Sequence, residues 1–272
     1  MRNVGLTEFL SGLVPEMLVP LLFAFTQLGD PWFLMVTATL AYWVGPRYRL
    51  LATRDGARVL AVAVGVLAFV EGAKAFFGLP RPPAAVTLVP KESFAFPSGH
   101  ATGSAAIYGS LGALLGRWSE RARYAVAAGI AVFVSFTRLF LGVHYLLDVV
   151  VGLLLGAAFA WTVVRLTRER VVFGYVFAVA VGVAALVLTG ANRDSVVGTG
   201  FALGALVAWL AVREDLPENG ASTVATGVGL VVVGAISVAA LRVAMPSWAV
   251  VLCSLFGGAG LVGVPAVQNF SR

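Results

Sequence analysis

The sequence predicts an all-α protein, a polytopic bundle of membrane-spanning helices, on the basis of its composition and the length of its apolar runs. Of the 272 residues, 60% are hydrophobic and only 12% are charged, whereas about a quarter of the residues of a soluble domain are charged. Apolar stretches of roughly 20 residues recur along the chain, and a helix of that length crosses about 30 Å of hydrocarbon. A soluble fold is therefore excluded, and we expect the chain to be embedded in the lipid bilayer.

Polar breaks divide the apolar runs into about ten expected helices. Their ranges are 14–29, 31–46, 58–77, 98–116, 123–142, 145–165, 171–190, 196–212, 221–241 and 247–266. Asp30 and Pro31 predict a helix start, with the aspartate as N-cap and the proline at the first helical position. The first apolar run contains polar residues and lacks a basic segment beyond Arg2, so we expect no cleavable signal peptide.

The lysines and arginines predict the orientation of these helices. Thirteen of the 19 fall in one set of loops and termini and six in the other, so both termini are expected in the cytoplasm. The six on the extracytoplasmic side are Lys74, Arg81, Lys91, Arg138, Arg193 and Arg242. Arginines beside membrane helices orient the protein and attract anionic lipid headgroups. These roles account for the net charge of +6, so we expect no nucleic-acid partner. The single cysteine, Cys253, cannot form an intrachain disulfide.

Reactive side chains concentrate in two loops on the predicted outer side. The first loop runs from Lys74 through Arg81-Pro82 to Pro97-Ser98-Gly99-His100, and the second from Thr137-Arg138 through His144 to Asp148. Both histidines of the chain lie in these loops. Such a concentration of ionisable groups in an otherwise apolar protein indicates a functional site.

Ser98, Gly99 and His100 have the pattern of a helix start that can bind an anion. Ser98 is a good N-cap, and Pro97 biases the entering chain toward an extended conformation. The N–H groups of Gly99 and His100 would then point out of a helix N-terminus, where a phosphate is favoured. Taken alone, this pattern marks only the start of a helix, and an isolated histidine is an ordinary interfacial residue.

His144 and Asp148 are four residues apart, so on a helix they share one face. The carboxylate can hold one ring nitrogen protonated and leave the other free to attack. Lys74, Arg81 and Arg138 add positive charge, although each arginine alone would also fit a membrane anchor. Glu71 is expected to pair with a cation such as Lys74, and Lys91 and Glu92 to be solvated loop residues.

Together these segments resemble the type 2 phosphatidic acid phosphatase (PAP2) superfamily, which shares its site with vanadium haloperoxidases. The three motifs are Lys74 with Arg81-Pro82 after six residues, Pro97 to His100, and Arg138 with His144 and Asp148. Thr137 stands where the family usually has serine, and the hydroxyl is kept. The resemblance covers about residues 20–165. It implies a six-helix catalytic core, which we place at 1–170, and leaves 171–272 as a C-terminal bundle of about four helices without an assigned role.

The resemblance implies a lipid phosphatase that uses no metal or other cofactor. His144, oriented by Asp148, would be the nucleophile, and His100 would act first as acid and then as base. The groups expected to hold the phosphate oxygens are Lys74, Arg81, Ser98, Gly99 and Arg138. Undecaprenyl or dolichyl diphosphate, phosphatidylglycerophosphate and phosphatidic acid are all compatible substrates.

Three other functions compete with hydrolysis. The same site could pass its group to an acceptor alcohol, which would make the protein a lipid phosphotransferase. A transporter or flippase would fit ten spans, but buried charges are nearly absent from the later helices. A haloperoxidase is disfavoured because those chains are mostly soluble.

Overall fold

The computed structural model describes residues 4–267, and every regular element in that range is a helix. Seven helices are long and apolar enough to cross a membrane, which confirms the predicted all-α membrane bundle. They are α4 (Thr53–Phe77), α6 (Glu120–Phe140), α7 (Leu146–Leu166), α8 (Val172–Thr189), α9 (Arg193–Val212), α10 (Thr223–Arg242) and α11 (Ser247–Val267). The shorter helices are α1 (Gly5–Gly12), α2 (Val19–Thr26), α3 (Pro31–Trp43) and α5 (Gly99–Leu114). Three 3-10 turns lie at Glu16–Leu18, Gln27–Gly29 and Ala84–Val86.

Local sequence explains where several of these helices begin and end. The side chains of Ser98, Ser119, Asn192 and Ser222 each accept a hydrogen bond from the N–H three residues later. Such caps satisfy donors that the first helical turn leaves unpaired. At the other end, α4 stops at Gly78, whose φ of 56° favours glycine.

The functional loops meet at one end of the bundle, called here the site end: α4 and α6 finish there, and α5 and α7 start there. Ser98 N–H donates to the Asp148 carbonyl at 2.9 Å and ties the starts of α5 and α7 together. Glycines on α7 let the two helices approach closely, because a Cβ at Gly156 would collide with the Thr102 carbonyl oxygen. The opposite end holds the loops that precede α4 and α6 and follow α7.

The N-terminal segment differs from the predicted helix 14–29. Gly12 and Pro15 interrupt the run, and α1 meets the following helical stretch, Glu16–Gly29, at a bend of 92°. Thr7 Oγ1 donates to the His144 carbonyl at 3.3 Å, and the segment ends at Asp30, which contacts His100. The segment therefore starts and finishes at the site end. The described chain thus begins near the site end and α11 finishes at the opposite end, while the cytoplasmic location of both termini stays a prediction.

One continuous apolar core runs from α3 and α4 into the C-terminal helices. Trp43 Nε1 donates to the Leu261 carbonyl at 2.7 Å, and Tyr175 Oη donates to the Ala57 carbonyl at 3.1 Å. Tyr175 is fully buried against α4. The C-terminal helices thus form part of the packing of α4, while a functional division at residue 170 stays a prediction.

Candidate active site

His144 and Asp148 meet at the start of α7. His144 lies just before the helix and Asp148 in its first turn, and both side chains are buried. Nδ1 of His144 is 3.4 Å from Oδ2 of Asp148. The same carboxylate oxygen accepts a hydrogen bond from the Tyr145 N–H at 3.0 Å, which fixes its position. The geometry is that of a carboxylate that orients an imidazole ring.

Arg81 determines which nitrogen of His144 carries the proton. Its Nη1 lies 3.2 Å from Nε2 of His144, and a guanidinium can only donate. Nε2 must therefore present its lone pair, and the ring proton sits on Nδ1, facing Asp148. Backbone and side-chain oxygens hold Arg81 in place: it donates to the Ser93 carbonyl at 2.7 Å, the Ser93 hydroxyl at 2.9 Å and the Val143 carbonyl at 2.7 Å.

The surroundings of His144 favour its neutral, nucleophilic form. Burial lowers the pKa of His144 well below 6.5, and the positive charges of Arg81, Arg138 and Lys74 lower it further. Burial also lowers the pKa of Arg81, to about 10, against the opposing effect of the Asp148 charge. The guanidinium therefore stays charged at neutral pH.

Arg138 and Lys74 extend the cationic cluster around His144. Arg138 Nη1 donates to the Thr26 hydroxyl at 2.9 Å, and its Nε is buried without a hydrogen-bond partner among residues 4–267. That unused donor fits an anionic ligand, because a buried N–H otherwise loses its hydration without compensation. On α4, Lys74 reaches the start of α5: a Cβ at Gly99 would lie 3.6 Å from its Nζ.

The start of α5 has the predicted form. The Ser98 hydroxyl accepts from the Ala101 N–H at 3.5 Å, which leaves the N–H groups of Gly99 and His100 at the first two helical positions. Val70 and Lys74 of α4 pack directly over Gly99, where a larger residue would crowd them. Lys74, Arg81, Ser98, Gly99, Arg138 and His144 are thus brought together by the ends of three helices and two loops.

His100 faces a carboxylate that the sequence analysis assigned to another role. Its Nε2 lies 2.9 Å from Oδ1 of Asp30, within ion-pair distance, although the contact lacks the direction of a hydrogen bond. Burial alone would raise the pKa of Asp30, but His100, Lys91 and Arg138 hold that pKa below its ordinary value. The carboxylate is therefore ionised at neutral pH.

A cavity of about 180 Å³ opens beside His100. Asp30, Lys91, Arg138 and Thr26 line it with polar groups, and Phe23 contributes an apolar wall. Lys91, expected to be a solvated loop residue, is exposed but also borders this cavity. The sequence did not identify Thr26, Asp30 and Lys91 as site residues, since none belongs to the three motifs and Asp30 has the local pattern of a helix cap. The only signal was an aspartate isolated between two apolar runs.

The described residues hold no group of three or more His, Cys, Asp or Glu side chains arranged to bind a metal ion. Apart from Asp148, the charged groups around His144 are the cations Arg81, Arg138 and Lys74, which suit an anion rather than Mg²⁺. The site can therefore bind an anionic group next to an unprotonated imidazole nitrogen.

Comparison with known proteins agrees with this geometry. The model of the PAP2 superfamily matches residues 56–172, which include all three motifs. Residues 56–172 are therefore similar to the PAP2 superfamily. Over 75 residues the chain is 37% identical to phosphatidylglycerophosphatase B of Bacillus subtilis (strain 168), a match that covers 25% of this chain and 37% of the relative. The chain thus aligns with little more than a third of that relative's length.

The solved structures include a transmembrane PAP2-type phosphatidylglycerolphosphate phosphatase, also from Bacillus subtilis. It superimposes with a TM-score of 0.49 at 26% sequence identity and covers 61% of this chain and 87% of that chain. Thr26 and Asp30 lie outside the PAP2 match, so two contacts to motif residues come from the segment that precedes it.

Proposed function

We propose that this protein is a membrane lipid phosphatase that hydrolyses a phosphate monoester or diphosphate through a phosphohistidine intermediate. One observation carries the proposal: the Nε2 lone pair of His144 faces Arg81, while Nδ1 faces the buried Asp148 carboxylate. A nucleophilic nitrogen at the edge of a cationic cluster suits attack on a phosphate, whose charge the cations stabilise.

In the first step Nε2 of His144 attacks phosphorus, an N–P bond forms, and the bond to the leaving oxygen breaks. His100 gives its proton to that oxygen, so the lipid leaves as a neutral alcohol, or as a lipid phosphate when the substrate is a diphosphate. Asp148 stabilises the positive charge on the His144 ring. Lys74, Arg81, Arg138, Ser98 and the Gly99 N–H hold the three oxygens of the transferring group.

In the second step a water molecule attacks phosphorus and the N–P bond breaks. His100, now unprotonated, accepts a proton from the water, and phosphate is released with His144 restored. Because lysine and arginine side chains balance the charge of the phosphoryl group, neither step requires a metal ion.

The position of the site supports a lipid substrate outside the cytoplasm. The end of the bundle opposite the site contains eleven of the lysines and arginines and the site end six. This distribution supports an extracytoplasmic site. A phosphorylated headgroup could reach the cations while its acyl or isoprenoid chain stays in the bilayer. The candidate substrates are phosphatidylglycerophosphate, which the name of the relative indicates, phosphatidic acid and undecaprenyl diphosphate.

The test is phosphate release from these lipids by purified protein in detergent, with His144→Asn as the blank. We expect about a thousandfold loss or more, and radiolabelled phosphate should be trapped on wild-type protein in an acid-labile, alkali-stable form. Undiminished release by the variant overturns the role of His144. Loss of activity in EDTA, restored by Mg²⁺, overturns the metal-free mechanism.

Product analysis separates hydrolysis from transfer. With an added alcohol such as glycerol, a hydrolase yields free phosphate as the main product. Recovery of most of the label as a new phosphate ester would identify a phosphotransferase instead.

A further inference from the structure

Asp30 lies at the N-cap of α3 but does not act as a cap. Its carboxylate accepts no hydrogen bond from the first turn of α3, unlike the side chains of Ser98, Ser119, Asn192 and Ser222, which all cap their helices. Aspartate is a strong N-cap, so the Asp30 side chain lacks the capping hydrogen bond that this position would favour. It lies instead 2.9 Å from Nε2 of His100.

The backbone next to Asp30 lies close enough to α5 for the carboxylate to reach His100. The preceding residue is Gly29, and a Cβ there would lie 3.2 Å from the His100 Cβ and 2.9 Å from the Ser104 hydroxyl. The same Cβ would lie 2.5 Å from Val134 Cγ1 of α6, so a larger residue would push the segment away from both α5 and α6. Tyr108, on the same helix as His100 and Ser104, donates to the Leu28 carbonyl at 2.7 Å and holds this turn against α5.

We infer that Asp30 is a positioning residue for catalysis: it holds His100 through Nε2, favours the protonated ring, and leaves Nδ1 for the leaving-group oxygen. This inference rests on the proposed function, in which His100 is the acid. An ionised carboxylate at this distance stabilises an imidazolium by the attraction between opposite charges.

The other charges near His100 oppose its protonation. Arg138 of α6 and Lys91 of the α4–α5 loop both face it, and His144 lies across the site. The ring is also buried, which disfavours its charged form. Asp30 counters these effects only in part, because burial and Arg138 still lower the pKa of His100 to about 4. The adjoining cavity gives the leaving group access to the pair.

The leaving group provides a test that a purely structural residue would not pass. An alkyl phosphate needs a proton on its leaving oxygen, whereas p-nitrophenolate departs without one. For Asp30→Asn we expect about a tenfold loss of kcat with a short-chain phosphatidic acid and little loss with p-nitrophenyl phosphate. The alkaline limb of the alkyl-substrate pH profile should move about one unit lower, because the acid loses its proton more easily.

Asp55→Asn is the matched control, since Asp55 also pairs with a basic side chain, Arg58, but at the opposite end of the bundle. Asp30→Glu keeps the negative charge, so the alkaline limb of its pH profile should return to the wild-type position. Equal losses on both substrates, or an unchanged pH profile in Asp30→Asn, overturn the inference. So does failure of both Asp30 variants to fold, because it would make Asp30 a structural residue. The proposed function fails separately, if His144→Asn stays active.

Discussion

The two histidines of this protein each face a carboxylate, but the two pairs are built in different ways. His144 lies just before α7 and Asp148, four residues later, lies in its first turn, whereas His100 and Asp30 are 70 positions apart and come from different elements. In the first pair the local geometry at the start of α7 sets the spacing. In the second, α3 and α5 must pack correctly before the groups meet.

The difference follows the division of chemical work that we propose. A nucleophile must be held in one orientation, and a carboxylate four residues later, in the first turn of the next helix, does this with little dependence on the rest of the fold. An acid must change its protonation state between steps. A partner on another element, beside a cavity, can stabilise the proton without blocking the leaving group.

The largest effect is expected from Asp148→Asn. The amide would donate to Nδ1, place the ring proton on Nε2 and remove the attacking lone pair, so kcat should fall about 10³–10⁴-fold. The loss should be equal for alkyl and p-nitrophenyl phosphates, in contrast to Asp30→Asn. Asp194→Asn, at the start of α9, is the control and should keep full activity. A loss confined to the alkyl substrate would remove the contrast between the two pairs.

A smaller effect is expected from Thr26→Val, which deletes the hydroxyl that accepts from Arg138. Hydrogen bonds to charged groups are worth roughly 1.5–3 kcal/mol, so kcat/KM should fall about tenfold or somewhat more, alike on both substrates. Thr39→Val in α3, whose hydroxyl bonds only within its own helix, serves as control. Unchanged kcat/KM would show that the N-terminal segment acts only through Asp30.

The fall in kcat/KM at acidic pH should reflect the protonation of His144, the nucleophile of the first pair. Because burial and then Arg81 lower the pKa of His144 well below 6.5, kcat/KM should hold as the pH falls through 6.5 and decline only in more acidic buffer, where Nε2 becomes protonated. In Arg81→Gln this acid limb of the pH profile should move about one unit higher. A wild-type limb above 6.5 would contradict the assignment, and Arg242→Gln provides a matched loss of charge at the site end.

The smallest effect is expected far from both pairs. Tyr175→Phe removes the hydrogen bond to the Ala57 carbonyl and should lower the free energy of unfolding by about 1 kcal/mol, with kcat unchanged. Thermal unfolding in detergent and phosphate release on the same sample check both points. A changed kcat would mean that the C-terminal helices influence the site through α4.

The sequence predicted most of the bundle because long apolar runs have few alternatives in a bilayer. Nine of the ten expected helices correspond to α3–α11. The exception is the N-terminal segment, where Gly12, Pro15 and Pro20 break a weakly apolar run. Its path back to the site end depends on contacts such as Thr7 with His144, which no local pattern encodes.

By itself, the sequence determined the membrane class, the all-α fold and the motif residues from Lys74 to Asp148, because hydrophobicity and short-range spacing are local properties. The tertiary structure alone decided the partner of His100. Asp30 has the sequence of a helix cap, and only the packing of α3 against α5 turns its carboxylate away from its own helix and toward the imidazole. A contact between distant segments depends on how the whole bundle packs, so the spacing of residues along the chain does not predict it.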